Sequence, residues 1–306
     1  MPKILIITSS FDLTCDYIIK KFERKAQFFR LNVDFFQDYE ISIQNHLTTI
    51  CNQYWRVGLG EIDSIYYRKV SLPDLTNIFD DKYHYYVHRE IFTVMEGILE
   101  SFDGVCLSKP SILRKADNKI YQLKVAQELG FEIPELNISN SASVSKTFYK
   151  KFQSIVKPIS YGKIYDEKKS AVMQTNLVDK DISLNTLKYC PAYFQRFIEK
   201  DVDVRVTVVG KKTFPVKIFS NDKVDWRKDY DSLNYEVFLL PAEIEDKCLC
   251  LMDQLDLNFG AIDFVVKGEI YYFLEINANG QWAWLENELK LPISDEIMKI
   301  LLKSIL

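Results

Sequence analysis

A parallel α/β half followed by an α+β half with an antiparallel sheet is the fold class this sequence predicts, and three observations predict it. Short apolar runs alternate with helical patterns over residues 1–110. After Pro191 the texture changes to longer strands. Near the C-terminus two apolar strands, joined through Lys267-Gly268-Glu269, read as a hairpin.

The elements follow in order. Lys3–Thr8 is a continuous apolar run suited to a buried parallel strand. Asp12 or Thr14 caps the next helix, whose Ile18, Ile19 and Phe22 recur at helical spacing. Phe28–Leu31 and Ser64–Tyr67 read as strands, Asp80–Phe102 as a long helix, and Val105–Leu107 as a strand closed by Lys109-Pro110. A second unit, 111–190, opens with one helix over Arg114–Leu129, stopped by Gly130. It continues through a turn-rich connection at Asn137–Ser145 into short strands at Ser154–Lys157, Ile164-Tyr165 and Ala171–Gln174. The third unit, 191–306, holds strands at Tyr193–Ile198, Val202–Val209, Thr213–Phe219 and Glu236–Leu239 and a helix at Glu243–Asp256. Strands Gly260–Val266 and Ile270–Asn277 and two short helices close the chain.

The 306 residues, 47% of them hydrophobic, suffice for two or three cores. A net charge of -4 provides no basic surface for nucleic acid or an anionic membrane, although a phosphate site needs only a few placed cations. Ile4–Ile7 is too short for a signal-peptide core, and no stretch approaches the roughly 20 apolar residues of a bilayer span, so the cytoplasm is the expected compartment. Cys248 and Cys250 lack both zinc-site spacing and a nearby His. His84 and His88 share a helix face without a third ligand in reach, and no Gly-x-Gly-x-x-Gly follows the first strand. Neither a zinc centre nor a nicotinamide or flavin site is expected.

The late hairpin carries the most chemistry. Asp263 on one strand, and Glu275 and Asn277 on the next, stand among apolar neighbours where a carboxylate is costly unless it meets a cation or strong donors. With a three-residue loop at Lys267–Glu269, Asp263 faces Phe273, and Glu275 and Asn277 share its sheet face, Glu275 diagonally. A two-residue loop at Lys267-Gly268 would send Glu275 to the opposite face. Oxygen ligands of this kind suit magnesium carried in with a nucleotide phosphate. The bland alternative is a hairpin whose carboxylates point into water.

The segment Asp263–Gly280 resembles the signature of the ATP-grasp superfamily. The run Leu274-Glu275-Ile276-Asn277-Ala278-Asn279-Gly280-Gln281-Trp282 is similar, more specifically, to the graspetide synthetases: microviridin-type peptide ligases and grasp-with-spasm maturases. That family more often has Pro at position 278. The resemblance implies an ATP-grasp fold, with 1–110 as the pre-domain, 111–190 as the central lid and 191–306 as the catalytic unit. It implies ATP and magnesium, with two ions held by Asp263, Glu275 and Asn277. Lys119 and Lys157 would reach the phosphates, with Gly162 in a glycine-containing flap. Gln195, Arg196, Phe197 and Ile198 would form the adenine hinge, with Glu199 on the ribose and Asp203 beside the nucleotide. Arg205 would stabilise the transferring phosphoryl group, and Arg227 would hold the acceptor carboxylate.

The implied activity is ligation within a ribosomal precursor peptide. Its Asp or Glu side chain is activated as an acyl phosphate and closed onto Thr, Ser or Lys as an ester or amide. A leader segment binds separately, and the enzyme is a homodimer. Two other readings stay open: a carboxylate–amine ligase acting on a small molecule or protein terminus, and an ATP-binding module without turnover.

Overall fold

The computed structural model describes residues 1–160, 163–166, 169–179, 181–228 and 232–302, with the backbone alone for 163–166 and 169–172. Strand β1 (Lys3–Thr8) is buried on both faces, as a parallel strand between helices must be. Asp12, rather than Thr14, caps α1 (Leu13–Phe22): its carboxylate accepts the Thr14 N–H at 3.1 Å. After β2 (Gln27–Asn32) comes a small antiparallel sheet absent from the expectation: β3 (Glu40–Gln44), β4 (Leu47–Cys51) and β5 (Arg56–Gly58). Its first turn is Asn45-His46, at φ 48° and 69°; a primed turn without glycine leaves a weak sequence signal.

β6 (Ser64–Tyr67), α2 (Asp81–Glu100) and β7 (Val105–Leu107) complete a parallel sheet in the order β2-β1-β6-β7. Leu5 and Ile7 pack with Ile91, Met95 and Leu99 of α2. Ile4 and Ile6 join a different core, described below.

Residues 114–129, expected as one helix, lie in two: α3 (Pro110–Ala116) and α4 (Lys119–Glu128). Asn118 causes the break, its side chain accepting the Ile120 and Tyr121 N–H groups at 3.1 Å as the cap of α4. Lys119 therefore occupies the first turn. Because Cβ bonds tilt toward a helix N-terminus, its ammonium reaches past the helix end. The turn-rich connection expected at 137–145 is instead β8 (Leu136–Ser139) followed by the start of α5 (Ala142–Lys151), capped by Ser141. The apolar residues of α5 are too sparse to show a helical period in sequence.

β9 (Ser154–Lys157), β12 (Asn176–Leu177) and β13 (Ala192–Arg196) join β8 in an antiparallel sheet ordered β12-β9-β13-β8. Between them β10 (Lys163–Asp166) and β11 (Lys169–Val172) pair as a hairpin.

The last sheet contains β14 (Val202–Val209), β15 (Lys212–Phe219), β16 (Asn234–Val237), β17 (Phe259–Lys267) and β18 (Ile270–Asn277), in the order β16-β15-β14-β17-β18. Helix α6 (Ala242–Gln254) covers one face. Val204, Val206, Ile262, Phe264 and Ile276 pack on that side with Leu123 of α4 and Leu251 of α6. Strand alternation then turns Asp203, Arg205 and Asp263 to the opposite face. Helices α7 (Ala283–Leu289) and α8 (Ile293–Leu302) return to the first sheet, where Trp282, Leu285 and Ile297 share a core with Ile4, Ile6 and Ile18. Lys21 and Tyr17 of α1 both donate to buried Glu286 of α7 at 2.7 Å, so the last elements are fastened to the first. Among the described residues no helix is long and apolar enough to cross a membrane.

Candidate active site

The hairpin reaches the expected face by a different register. Lys267 pairs with Ile270, leaving a two-residue turn of Gly268 and Glu269. Gly268 sits at φ 60°, which a side chain would strain. Continued straight, this register would set Asp263 opposite Leu274 and throw Glu275 to the other side. A β-bulge between Asp263 and Phe264 absorbs one residue, Leu274, and restores parity: Phe264 faces Phe273, and Asp263 faces Glu275 directly rather than diagonally. Asn277, opposite Ala261, lies on the same face. Gly280 follows in the loop, where a Cβ would stand 2.9 Å from the Ala261 Cβ, so the chain can close over β17 only without a side chain.

The two acids meet cations from four segments. Arg205, opposite Asp263 across β14–β17, sets a parallel fork on it, Nε to Oδ1 and Nη2 to Oδ2 both at 2.8 Å. Asn277 donates from Nδ2 to Asp263 Oδ2 at 3.0 Å. The Trp226 ring lies 5.3 Å from the Arg205 guanidinium carbon. Glu275 Oε2 is 3.0 Å from Lys119 Nζ, which also donates to the Pro158 carbonyl at 2.9 Å. Glu275 Oε1 is 3.8 Å from Arg227 Nη1. Burial would raise the Glu275 carboxyl, but the charges of Lys119, Lys157 and Arg227 outweigh it and hold it at about 2. Lys157, at the end of β9, is buried against the Tyr193 ring, 4.6 Å from its centre, and burial pushes its ammonium down to about 8.

These groups border a cavity of ≈ 540 Å³, within the usual range of small-molecule sites. Of the residues singled out in the sequence, it brings together Lys119, Lys157, Gln195, Asp203, Arg227, Asp263, Glu275 and Asn277. Arg205 is not on its wall; it lies behind Asp263. Asp203 does not pair with Arg205 but takes Lys200 at 2.6 Å, and burial still raises its carboxyl to about 6. Arg227 is held by Asp225, Nε to Oδ1 at 2.8 Å and Nη2 to Oδ2 at 3.2 Å.

The segment expected to form the adenine hinge is partly engaged by the chain itself. The Arg196 N–H donates to the Glu135 carbonyl and the Phe197 N–H to the Gln153 carbonyl, at 2.7 and 2.8 Å. The Gln195 side chain is fully buried and gives its amide N–H to the Tyr193 hydroxyl at 3.2 Å, while its Oε1 has no partner. A buried acceptor without a donor is costly, and this one borders the cavity. Ile198 is buried, and Glu199 is exposed and off the cavity wall. Gly162 lies outside the described residues. His84 and His88 bond the carbonyls of Phe79 and Pro73 at 2.9 and 2.8 Å.

Four contributors were missed. Lys69 lines the cavity from just beyond β6, where the carboxyl ends of parallel strands gather ligand sites; Arg68-Lys69 directly after a strand is the signal that could have found it. Asp117, at the break between α3 and α4, also lines the cavity. Gln122 bonds the backbone of Ile276 between the two ligand candidates of β18. Arg68, 1% exposed, pairs with Asp12 at 2.7 Å and donates to Gln281 Oε1 at 2.7 Å, tying the loop after β18 to the first sheet. No local pattern announces Asp117 or Gln122, or the long-range partners of Arg68.

Residues 3–114 match the family model described as the MvdD pre-ATP grasp domain. A RiPP-associated ATP-grasp ligase from Chryseobacterium gregarium, solved with ADP and a leader and core peptide, is 34% identical over 98% of this chain and 96% of that one, with a TM-score of 0.88. Macrocyclase MdnC from Microcystis aeruginosa MRC, bound with precursor peptide MdnA, is 30% identical over 98% and 99%, with a TM-score of 0.90. D-alanine–D-alanine ligase from Bacillus anthracis, 15% identical at a TM-score of 0.61, shares the fold alone. No curated protein matches.

Proposed function

Since this chain belongs to the RiPP-associated ATP-grasp ligases, we propose that it closes macrocycles in a ribosomally made precursor peptide at the expense of ATP. The observation that carries the proposal is the convergence of Asp263, Glu275 and Asn277 with Lys119, Lys157 and Arg227 around one cavity. An Asp or Glu side-chain carboxylate of the peptide attacks the γ-phosphorus of ATP, giving an acyl phosphate and ADP. A Thr or Ser hydroxyl, or a Lys amine, then attacks the acyl carbon and expels phosphate, leaving an ester or amide.

The residues present suit such a nucleotide. Lys119 and Lys157 supply positive charge for phosphates. The unpartnered Gln195 Oε1 offers an acceptor to an exocyclic amine. The free edge of the hinge begins at Ile198, beyond the engaged Arg196 and Phe197 N–H groups. Arg227, kept protonated by Asp225, presents its guanidinium beside Glu275 for the acceptor carboxylate. Asp263, Glu275 and Asn277 form an all-oxygen set fitting magnesium, which when bound neutralises phosphate charge. Arg205 acts from behind by fixing Asp263. The reading includes two ions, a lid at 111–190 over a catalytic unit at 191–306, a homodimer and a cytoplasmic location.

The test is incubation with a precursor peptide encoded beside this gene, ATP and magnesium, followed by product mass and ADP assay. Loss of one water per link with stoichiometric ADP is expected. ADP without cyclised peptide would redirect the site to a small-molecule carboxylate, and no ADP would end the ligase reading.

Lys157 gives a second expectation. Its folded value of about 8 lies below the ordinary 10.5, so the unfolded chain binds more protons between those values and stability rises with pH across that window. Nucleotide binding should instead weaken as pH rises through about 8, because the ammonium is lost. Lys157→Met should flatten both profiles in calorimetric ADP titrations and thermal melts; an unchanged binding profile would remove Lys157 from the phosphate site.

A further inference from the structure

We infer that Gln122 is a positioning residue that acts as a one-residue surrogate strand on β18, holding Glu275 and Asn277 in register and coupling them to Lys119. The inference rests on the reading of Asp263, Glu275 and Asn277 as metal ligands.

β18 is the edge of its sheet, so every second residue turns its backbone N–H and C=O away from β17. Glu132 bridges that edge at Tyr272 and accepts the Phe273 N–H at 2.8 Å, but no strand continues alongside Glu275–Asn277. Ile276 is such a residue, buried at 2% exposure and flanked on either side by Glu275 and Asn277. Gln122 meets both of its groups. The Gln122 Oε1 accepts the Ile276 N–H at 3.1 Å, and the Nε2 donates to the Ile276 carbonyl at 2.8 Å. A primary amide thus supplies the donor and acceptor that a neighbouring peptide would. The second Nε2 proton goes to the Ala116 carbonyl at 2.6 Å, so the side chain is itself anchored across the α3–α4 break.

Two features give this contact a consequence beyond packing. The bulge at Leu274 lies immediately before Glu275, and a shift of that bulge by one residue would turn Glu275 to the other face. Gln122 also sits three residues after Lys119 on α4, and Lys119 contacts Glu275 at 3.0 Å. One helix therefore delivers a cation to the Glu275 side chain and a clamp to the backbone next to it. Partners that orient metal ligands from behind typically account for about 10–100-fold in metal affinity.

The experiment compares wild type with Gln122→Met by amide hydrogen exchange, magnesium–ADP calorimetry, and kcat and KM measured against magnesium. In wild type the Ile276 amide should exchange slowly. In Gln122→Met it should exchange at least about 10-fold faster, with magnesium half-saturation raised about 10-fold or more. Peptide KM should not move. Unprotected exchange at Ile276 in wild type, or a Gln122→Met protein with wild-type magnesium dependence and only a lower Tm, overturns the inference. Should Gln122→Met fail to fold, Gln122→Glu decides, since it keeps an acceptor for the Ile276 N–H and loses both donors; a wild-type magnesium requirement there overturns the inference too. A wild-type protein that binds no magnesium–ADP would instead bring down the metal reading itself.

Discussion

Glu275→Gln is expected to cut ATP-dependent turnover by about 10³-fold while the chain still folds. The substitution keeps shape and removes the charge that three cations share. In the metal-free protein this costs stability, because Lys119, Lys157 and Arg227 then face one another without their common counter-ion. Lowering a 14% exposed carboxyl from 4.5 to about 2 corresponds to about 3 kcal/mol at neutral pH. A depressed carboxyl contributes fully above its unfolded value, and the contribution disappears as pH falls from about 4.5 toward about 2. Urea unfolding should therefore separate wild type from variant at pH 7 and bring them together near pH 2. Metal-free ADP should bind the variant at least as tightly as wild type, since Lys119, Lys157 and Arg227 lose the carboxylate that would compete with a phosphate for them. Turnover within three-fold of wild type would remove Glu275 from the metal site, whatever the melts show.

What the sequence disclosed depended on how local the cause was. β6, β7, β14 and β18 were legible to the residue because each is an apolar run whose environment is set by its own alternation. The hairpin face was legible too, but the path to it was not. A three-residue loop and a two-residue turn with one bulge place Glu275 on the same side, and only cross-strand packing chooses between them. The α3–α4 break hung on Asn118, which reads as an ordinary polar position until it is seen capping α4. Lys119, Lys157, Asp263 and Glu275 could be picked out because a charge in an apolar or motif-bearing setting needs a partner. Gln122, Asp117 and Arg68 could not, since the contacts that tie them to the site (Gln122 to Ile276, Asp117 to Ala278, Arg68 to Asp12 and Gln281) lie far away in sequence, beyond any periodicity.

The second large effect concerns Arg205, and it separates fold from chemistry. Arg205→Met should destabilise the protein by about 3–5 kcal/mol, because it breaks the buried fork on Asp263, 7% exposed, and leaves the Asn277 amide as the hydrogen-bond donor to it. The loss comes from stranding the acid rather than from the fork's own net strength, since desolvating both groups offsets much of their attraction. Arg205→Met combined with Asp263→Leu should accordingly regain most of the stability, giving a large coupling in a double-mutant cycle. Activity should not return with it. The single change should lower turnover by about 10²-fold or more by freeing Asp263 from its fixed orientation, and the double variant, lacking a ligand candidate altogether, should be inactive. Arg205→Lys should fall between, because an ammonium cannot span both carboxylate oxygens as the guanidinium does. Chemical denaturation and ADP release on wild type, Arg205→Met, Asp263→Leu, the double variant and Arg205→Lys decide the matter. A double variant no more stable than Arg205→Met would show that the cation's stacking on Trp226, not the fork, carries the stability. A double variant that turns over would show that Asp263 is a structural acid and leave the chemistry to Glu275 alone.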